Sequence, residues 1–161
     1  MELSHLNQSG EARMVDIGEK PVVRREAEAR GRIKLKPETM ELIRQNRVKK
    51  GDVLAAARIA AICGGKKTAE LIPLCHNIPV NRIEVSFDLK EDGVEIAARA
   101  SCDARTGIEM ETLTAVSIAA LTIYDMCKSA DKSMVISDIR LVEKKKGPVH
   151  GSTKKHGAER Q

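Results

Sequence analysis

Between Val22 and Val142 the hydrophobic period passes from two residues to about 3.6 and back, twice over, and that order of switches constrains the fold more than any single motif. From Val22 to Leu35, the residues Val22, Arg24, Glu26, Glu28, Arg30, Arg32 and Lys34 alternate with Val23, Arg25, Ala27, Ala29, Gly31, Ile33 and Leu35, as in a strand. Pro37 opens a helix through Asn46, because a first helical position has no use for the N–H that proline lacks. A second helix runs from Asp52, a good N-cap, to Cys63 and is expected to stop at Gly64 and Gly65. Two prolines make Ile72 to Pro79 a loop. Strand alternation resumes with Ile83, Val85, Phe87 and Leu89 inward. The Asp92-Gly93 turn then leads into Val94, Ile96, Ala98, Ala100 and Cys102, completing a hairpin. A long helix from Thr112 to Ser129 and a strand from Met134 to Val142 follow.

Strand, helices, strand, strand, helix, strand is the ferredoxin-like split βαβ order of an α+β fold, a four-stranded antiparallel sheet with helices packed on one face. A single domain is expected over residues 14–144, after a flexible lead of 1–13 and before a basic flexible tail of 145–161. The helical runs VLAAARIAAIC and LTAVSIAALTIYDMC are apolar around much of their circumference, whereas a sheet covers one side only. With Phe87 and Tyr124 the sole aromatics, the core is built from small side chains that bury little area each. Both features predict association between subunits.

The net charge of +5 does not describe a nucleic-acid binder. Of 28 basic and 23 acidic residues, six basic and one acidic fall between Lys144 and Gln161, leaving 22 of each elsewhere. A nucleic-acid surface spreads its cations over a folded face, often with aromatics for stacking. The four cysteines, Cys63, Cys75, Cys102 and Cys127, are 12, 27 and 25 positions apart, which excludes zinc-type CxxC pairs. With no secretory signal and no apolar run of membrane length, the expectation is a cytoplasmic protein with reduced thiols and no membrane partner.

Several polar residues stand where packing does not ask for them. Arg25 lies on the apolar face of its strand, where a guanidinium needs either a structural carboxylate or a ligand anion. Lys49 and Lys50 precede Gly51-Asp52 and a helix N-terminus, which favours anions, although lysines there also serve as solvated surface. His76 follows Cys75 in the Pro-bounded loop, in a structural or a chemical role. Glu109 and Glu111 flank Met110 and project to one side if the chain is extended. Asp125 and Lys128, three apart, are helix neighbours after the apolar run Ala119–Tyr124, which predicts a buried pair with tuned pKa values rather than an ordinary surface bridge. Together these residues suit a phosphorylated small molecule worked on by acids and bases.

Met14-Val15-Asp16, Lys50-Gly51-Asp52-Val53, Leu71-Ile72-Pro73-Leu74-Cys75-His76, Thr106-Gly107-Ile108-Glu109-Met110-Glu111 and the run Ala119 to Lys128 resemble the molybdenum cofactor biosynthesis protein C family, the cyclic pyranopterin monophosphate synthases. The likeness spans Met14 to Lys144. It implies a lyase acting on 3′,8-cyclo-7,8-dihydro-GTP with release of pyrophosphate, and a homohexamer, a trimer of dimers with sites at the dimer interfaces. It implies that Asp125 is the acid–base residue with Lys128 and Lys50. Leu74, Cys75, His76, Met110 and Glu111 would hold the substrate with Glu109 close by, and Arg25 and Lys144 would bind phosphate from the partner subunit. No redox cofactor is required, and no ligand pattern demands a metal, although Mg2+ on the triphosphate is compatible with the chemistry. After Lys144 the family often continues Ser-Gly-Gly-Lys-Ser-Gly where this chain reads Lys145-Lys146-Gly147-Pro148-Val149-His150-Gly151, so the resemblance assigns no tail lysine to the substrate. The rival readings are a non-catalytic ferredoxin-like module that binds a small ligand, and a nucleic-acid binder acting through its tail.

Overall fold

The computed structural model describes residues 9–149, so most of the expected lead and the tail from residue 150 lie outside the described residues. The elements run β1 (Val23–Lys34), α1 (Pro37–Arg44), α2 (Val53–Lys66), α3 (Thr68–Leu71), β2 (Val80–Leu89), β3 (Gly93–Ala104), α4 (Glu109–Cys127) and β4 (Val135–Gly147). The sheet order is β2-β3-β1-β4 with every neighbouring pair antiparallel, the expected ferredoxin-like α+β arrangement.

The alternation in β1 sorts as expected. Ala27, Ala29, Ile33 and Leu35 are buried under the helices, and Glu26, Arg30 and Lys34 face water. Register puts small against small, Ala27 opposite Ala100 and Ala29 opposite Ala98. This thin layer lets α4 settle onto the sheet with Ala115, Val116, Ala119, Ala120 and Ile123 fully buried. Gly31 keeps the contact close, since a Cβ there would come within 2.7 Å of Val116 Cγ1. On the other sheet face Glu28, 9% exposed, accepts from Arg30 Nε (2.8 Å) and Arg99 Nε (2.7 Å). The Arg99 hydrogen bond outweighs burial and holds the Glu28 carboxyl below its usual range.

Asp52 caps α2 as expected, accepting from Ala55 N at 2.9 Å, a contact contributing about 1 kcal/mol. The helix does not stop at Gly64-Gly65. It continues to Lys66, because these glycines serve helix packing rather than termination: a Cβ on Gly64 would lie 2.6 Å from Ile118 Cγ1, and one on Gly65 would lie 3.0 Å from the Glu111 carbonyl oxygen. The one-turn α3 was not anticipated. Helix α1 ends at Arg44 instead of Asn46, and Asn46 takes up a left-handed φ of 51° beyond it. Helix α4 begins at Glu109 instead of Thr112 and ends at Cys127. Strand β4 runs to Gly147, five residues past the expected strand end at Val142, and so takes in the first three residues of the expected tail, with Lys144, Lys145 and Lys146 opposite Ala27, Glu26 and Arg25 of β1.

Candidate active site

The residues singled out above gather at the two ends of α4. At its C-terminal end Asp125 is held between two ammonium groups. Lys50 Nζ donates to Asp125 Oδ2 at 2.7 Å and to the Asp125 carbonyl oxygen at 2.9 Å, and Lys128 Nζ stands 2.7 Å from Oδ1. The turn before α2 positions Lys50. Gly51 adopts φ 101°, its N–H bonds the Val48 carbonyl, and the Asp52 cap then starts the helix. The last turn of α4 presents the partner groups, where its carbonyl end favours cations.

Burial of the Asp125–Lys128 pair, expected from the preceding apolar run, is not observed. The side chains of Lys50, Asp125 and Lys128 are 45%, 56% and 57% exposed. Leu121, Asp125 and Lys128 share one helix face, and Leu121 is itself 55% exposed; the buried face carries Ala120, Ile123 and Cys127. Hydrogen bonds from Lys128 and then Lys50 hold the Asp125 carboxyl down to about 2, and Asp125 in turn raises Lys128. The pair is therefore a fixed ion pair in the free chain, not one poised near neutrality.

At the N-terminal end of α4, a groove of about 290 Å³ is lined by Arg25, Glu26, Gly107, Ile108, Glu109 and Lys144–Lys146. Among the described residues Arg25 has found no structural carboxylate. Its Nη2 makes a long contact of 3.5 Å to the Arg105 carbonyl, and its buried Nε has no hydrogen-bond partner. Glu109 Oε1 lies 3.2 Å from Lys144 Nζ. Because α4 starts at Glu109, Glu109 and Glu111 do not project together: Glu109 turns to the groove, and Glu111 turns inward, 4% exposed, with Oε2 buried and unpartnered. Burial, reinforced by the charge of Glu109, raises the Glu111 carboxyl.

The Pro-bounded loop belongs to this second end. Desolvation and the charge of Glu111 raise the half-buried Cys75 thiol, and desolvation followed by the same carboxylate pushes the buried Cys102 up to about 11. Neither thiol is a thiolate nucleophile at neutral pH. His76 Nε2 donates to the Val15 carbonyl at 2.6 Å, which leaves Nδ1 as the ring atom able to accept and ties the half-buried Val15 to the loop. Leu74 and Met110 remain 37% and 38% exposed, with Leu71 and Ile72 nearby in sequence also uncovered.

Sequence reasoning missed Lys145, Lys146, Arg105 and Val15. The basic run after Val142 carries no hydrophobic alternation, so only its pairing with β1 discloses a strand. Val15 acts through its carbonyl, which no side-chain pattern encodes.

Among the described residues no group of three or more His, Cys, Asp or Glu is arranged to hold a metal ion, and no helix is long and apolar enough to cross a membrane. Chemically, one end offers a carboxylate between two lysines, and the other offers a cationic groove beside a buried carboxyl whose affinity for its proton is raised, and an apolar rim.

A family profile described as the MoaC family matches residues 14–147. The cyclic pyranopterin monophosphate synthase of Peptoclostridium acidaminophilum is 55% identical over 147 residues, covering 91% of this chain and 94% of that protein. The synthase of the same name from Thermomicrobium roseum is 54% identical over 148 residues, 91% of this chain and 89% of that protein. That from Novosphingobium aromaticivorans is 53% identical over 146 residues, with 91% and 93% covered.

Proposed function

The chain belongs to the MoaC family, and from that premise we propose that it is a cyclic pyranopterin monophosphate synthase, a lyase of molybdenum-cofactor assembly that converts 3′,8-cyclo-7,8-dihydro-GTP to cyclic pyranopterin monophosphate and pyrophosphate. The observation that carries this reading is Asp125 held at 2.7 Å by both Lys50 and Lys128 on an accessible surface. Exposed ion pairs contribute about 0–1 kcal/mol, so stability gives no reason to spend two lysines on one carboxylate. Proton transfer does.

The purine-derived five-membered ring opens and the pterin ring closes, both by moving protons on and off ring atoms. A sugar hydroxyl then forms a P–O bond to the α-phosphorus as the P–O bond to pyrophosphate breaks, and the hydroxyl proton passes to a base. Asp125 and Lys128 exchange these protons, and Lys50 neutralises charge on the leaving phosphates. In the free chain Asp125 is too acidic, and Lys128 too basic, to do so efficiently. A substrate lying over the cluster displaces water, which raises a carboxyl and lowers an ammonium, bringing both toward the operating pH. The reaction requires no cofactor; a magnesium ion would ride on the triphosphate, where the groove presents Arg25, Lys144, Lys145 and Lys146.

Glu109 and Asp125 stand 16 residues apart on one helix, roughly 24 Å at about 1.5 Å per residue. That exceeds the reach of a nucleotide. The proposal is therefore a site completed between copies, with Lys50, Asp125 and Lys128 of one protomer facing the partner's Arg25 and the partner's Lys144, in dimers that assemble as a hexamer. The exposed Ile59 and Leu121 on the outer helix layer supply apolar area for association. We place the reaction in the cytoplasm. Incubation with 3′,8-cyclo-7,8-dihydro-GTP is expected to release pyrophosphate stoichiometrically with product; saturable binding without pyrophosphate would favour the ligand-binding module instead.

A further inference from the structure

The groove at the head of α4 already holds an anion, and it belongs to the chain. Glu109 is the first residue of the helix, and its side chain is 28% exposed. Instead of reaching for water, the carboxylate folds back over Gly107, where any Cβ would overlap it, and pairs with Lys144. Ile108, the N-cap residue, supplies no side-chain hydrogen bond to this turn. Glu109 thus lies where a phosphate oxygen would gain most, beside a helix N-terminus and the lysines of β4. It does not saturate the groove: the buried Arg25 Nε still lacks a partner, and four cations line a space holding only Glu26 and Glu109 as acids. Glu26 is committed elsewhere, 3.4 Å from Arg24 Nε.

We infer that Glu109 is a built-in competitor for the phosphate groove, holding Lys144 in the free protein, yielding it to the incoming polyphosphate and reclaiming it as pyrophosphate departs. The inference rests on the reading that this groove receives the phosphates. Its effect is to weaken the grip on product. Without it, a groove carrying Arg25 and three lysines would retain pyrophosphate and be blocked by inorganic polyphosphates.

The test is calorimetric titration of the full-length protein with inorganic pyrophosphate at fixed ionic strength. Glu109→Gln is expected to bind about fivefold more tightly than wild type, the scale of one exposed ion pair. Lys144→Met is expected to bind more weakly, and in that background Glu109→Gln should change affinity by less than about twofold, since the contact it relieves is already gone. Glu26→Gln removes the same charge from the same groove without touching Lys144, and should give less than half of the gain. Equal or weaker binding by Glu109→Gln overturns the inference, as does a full gain in the Lys144→Met background or from Glu26→Gln. If neither wild type nor Glu109→Gln binds pyrophosphate, the phosphate assignment of the groove falls and the inference with it, while turnover of the cyclised nucleotide is judged by its own assay.

Discussion

Asp125 and Glu111 are two carboxyls on one helix driven in opposite directions, one down to about 2 by two ammonium partners, the other upward by burial. Asp125→Asn keeps volume and a hydrogen-bonding oxygen but can neither accept nor return a proton. Pyrophosphate release is expected to fall by roughly 10²–10⁴-fold while substrate binding persists. Turnover within about threefold of wild type would reduce the cluster to an ion bridge. Glu111 has a folded-state value above its ordinary 4.5, so its stabilising contribution is complete below 4.5 and is lost as pH rises through the raised value. Glu111→Gln stays neutral throughout. The difference in urea midpoint should therefore move in favour of the variant between pH 4 and pH 8, at the expense of substrate binding; a difference independent of pH would show that Glu111 titrates normally. The spacing of Asp125 and Lys128 was legible in the sequence; Lys50 stood out there only as a lysine before a helix N-terminus, and its place beside Asp125, 75 positions away, came from family resemblance. The expected burial failed for a readable reason, since Leu121, Asp125 and Lys128 recur at helical spacing on a face that the core does not use.

At the scale of elements, periodicity placed all four strands and the three longer helices, because alternation and caps are local properties. What it misplaced depends on neighbours distant in sequence. Gly64-Gly65 reads as a helix stop and is in fact a notch for Ile118, Ile83 and the Glu111 backbone. Gly64→Ala consequently sets a propensity gain of about 1 kcal/mol against overpacking of about 1–3 kcal/mol. Net destabilisation is expected in urea unfolding, and Ile118→Ala in the same chain should recover part of it. A Gly64→Ala protein more stable than wild type would return the pair to the role of helix terminator. The start of α4 at Glu109 was hidden for a local reason instead: Ile108 carries no capping side chain, so no cap announces the first turn.

For the whole molecule, the separation of the two clusters along α4 makes a strong demand. If each site combines Lys50, Asp125 and Lys128 of one protomer with the partner's Arg25, then Asp125→Asn and Arg25→Ala proteins, each nearly inactive alone, should complement when their subunits exchange. Symmetric pairing predicts roughly a quarter of wild-type activity from an equal mixture, since half the dimers are mixed and each holds one intact site. No recovery after exchange verified by mass would place the whole site within one chain. None of this was visible in spacing alone, because a sequence records neither helix-end separation nor a second copy. A tail-deletion test of the nucleic-acid reading must likewise begin at Pro148, since Lys145–Gly147 are part of the sheet.

Among the described residues strand β4 is also one of the two margins of the sheet, with β1 on one side only. A long strand so placed offers an unpaired backbone ladder to any other extended chain, and lysines are a common guard against such edge-to-edge aggregation. Lys144–Lys146 occupy that margin. The same residues thus serve solubility and phosphate binding, and their substitution trades one against the other: a loss of activity in a charge-removing β4 variant has to be separated from self-association by light scattering before it is credited to the groove.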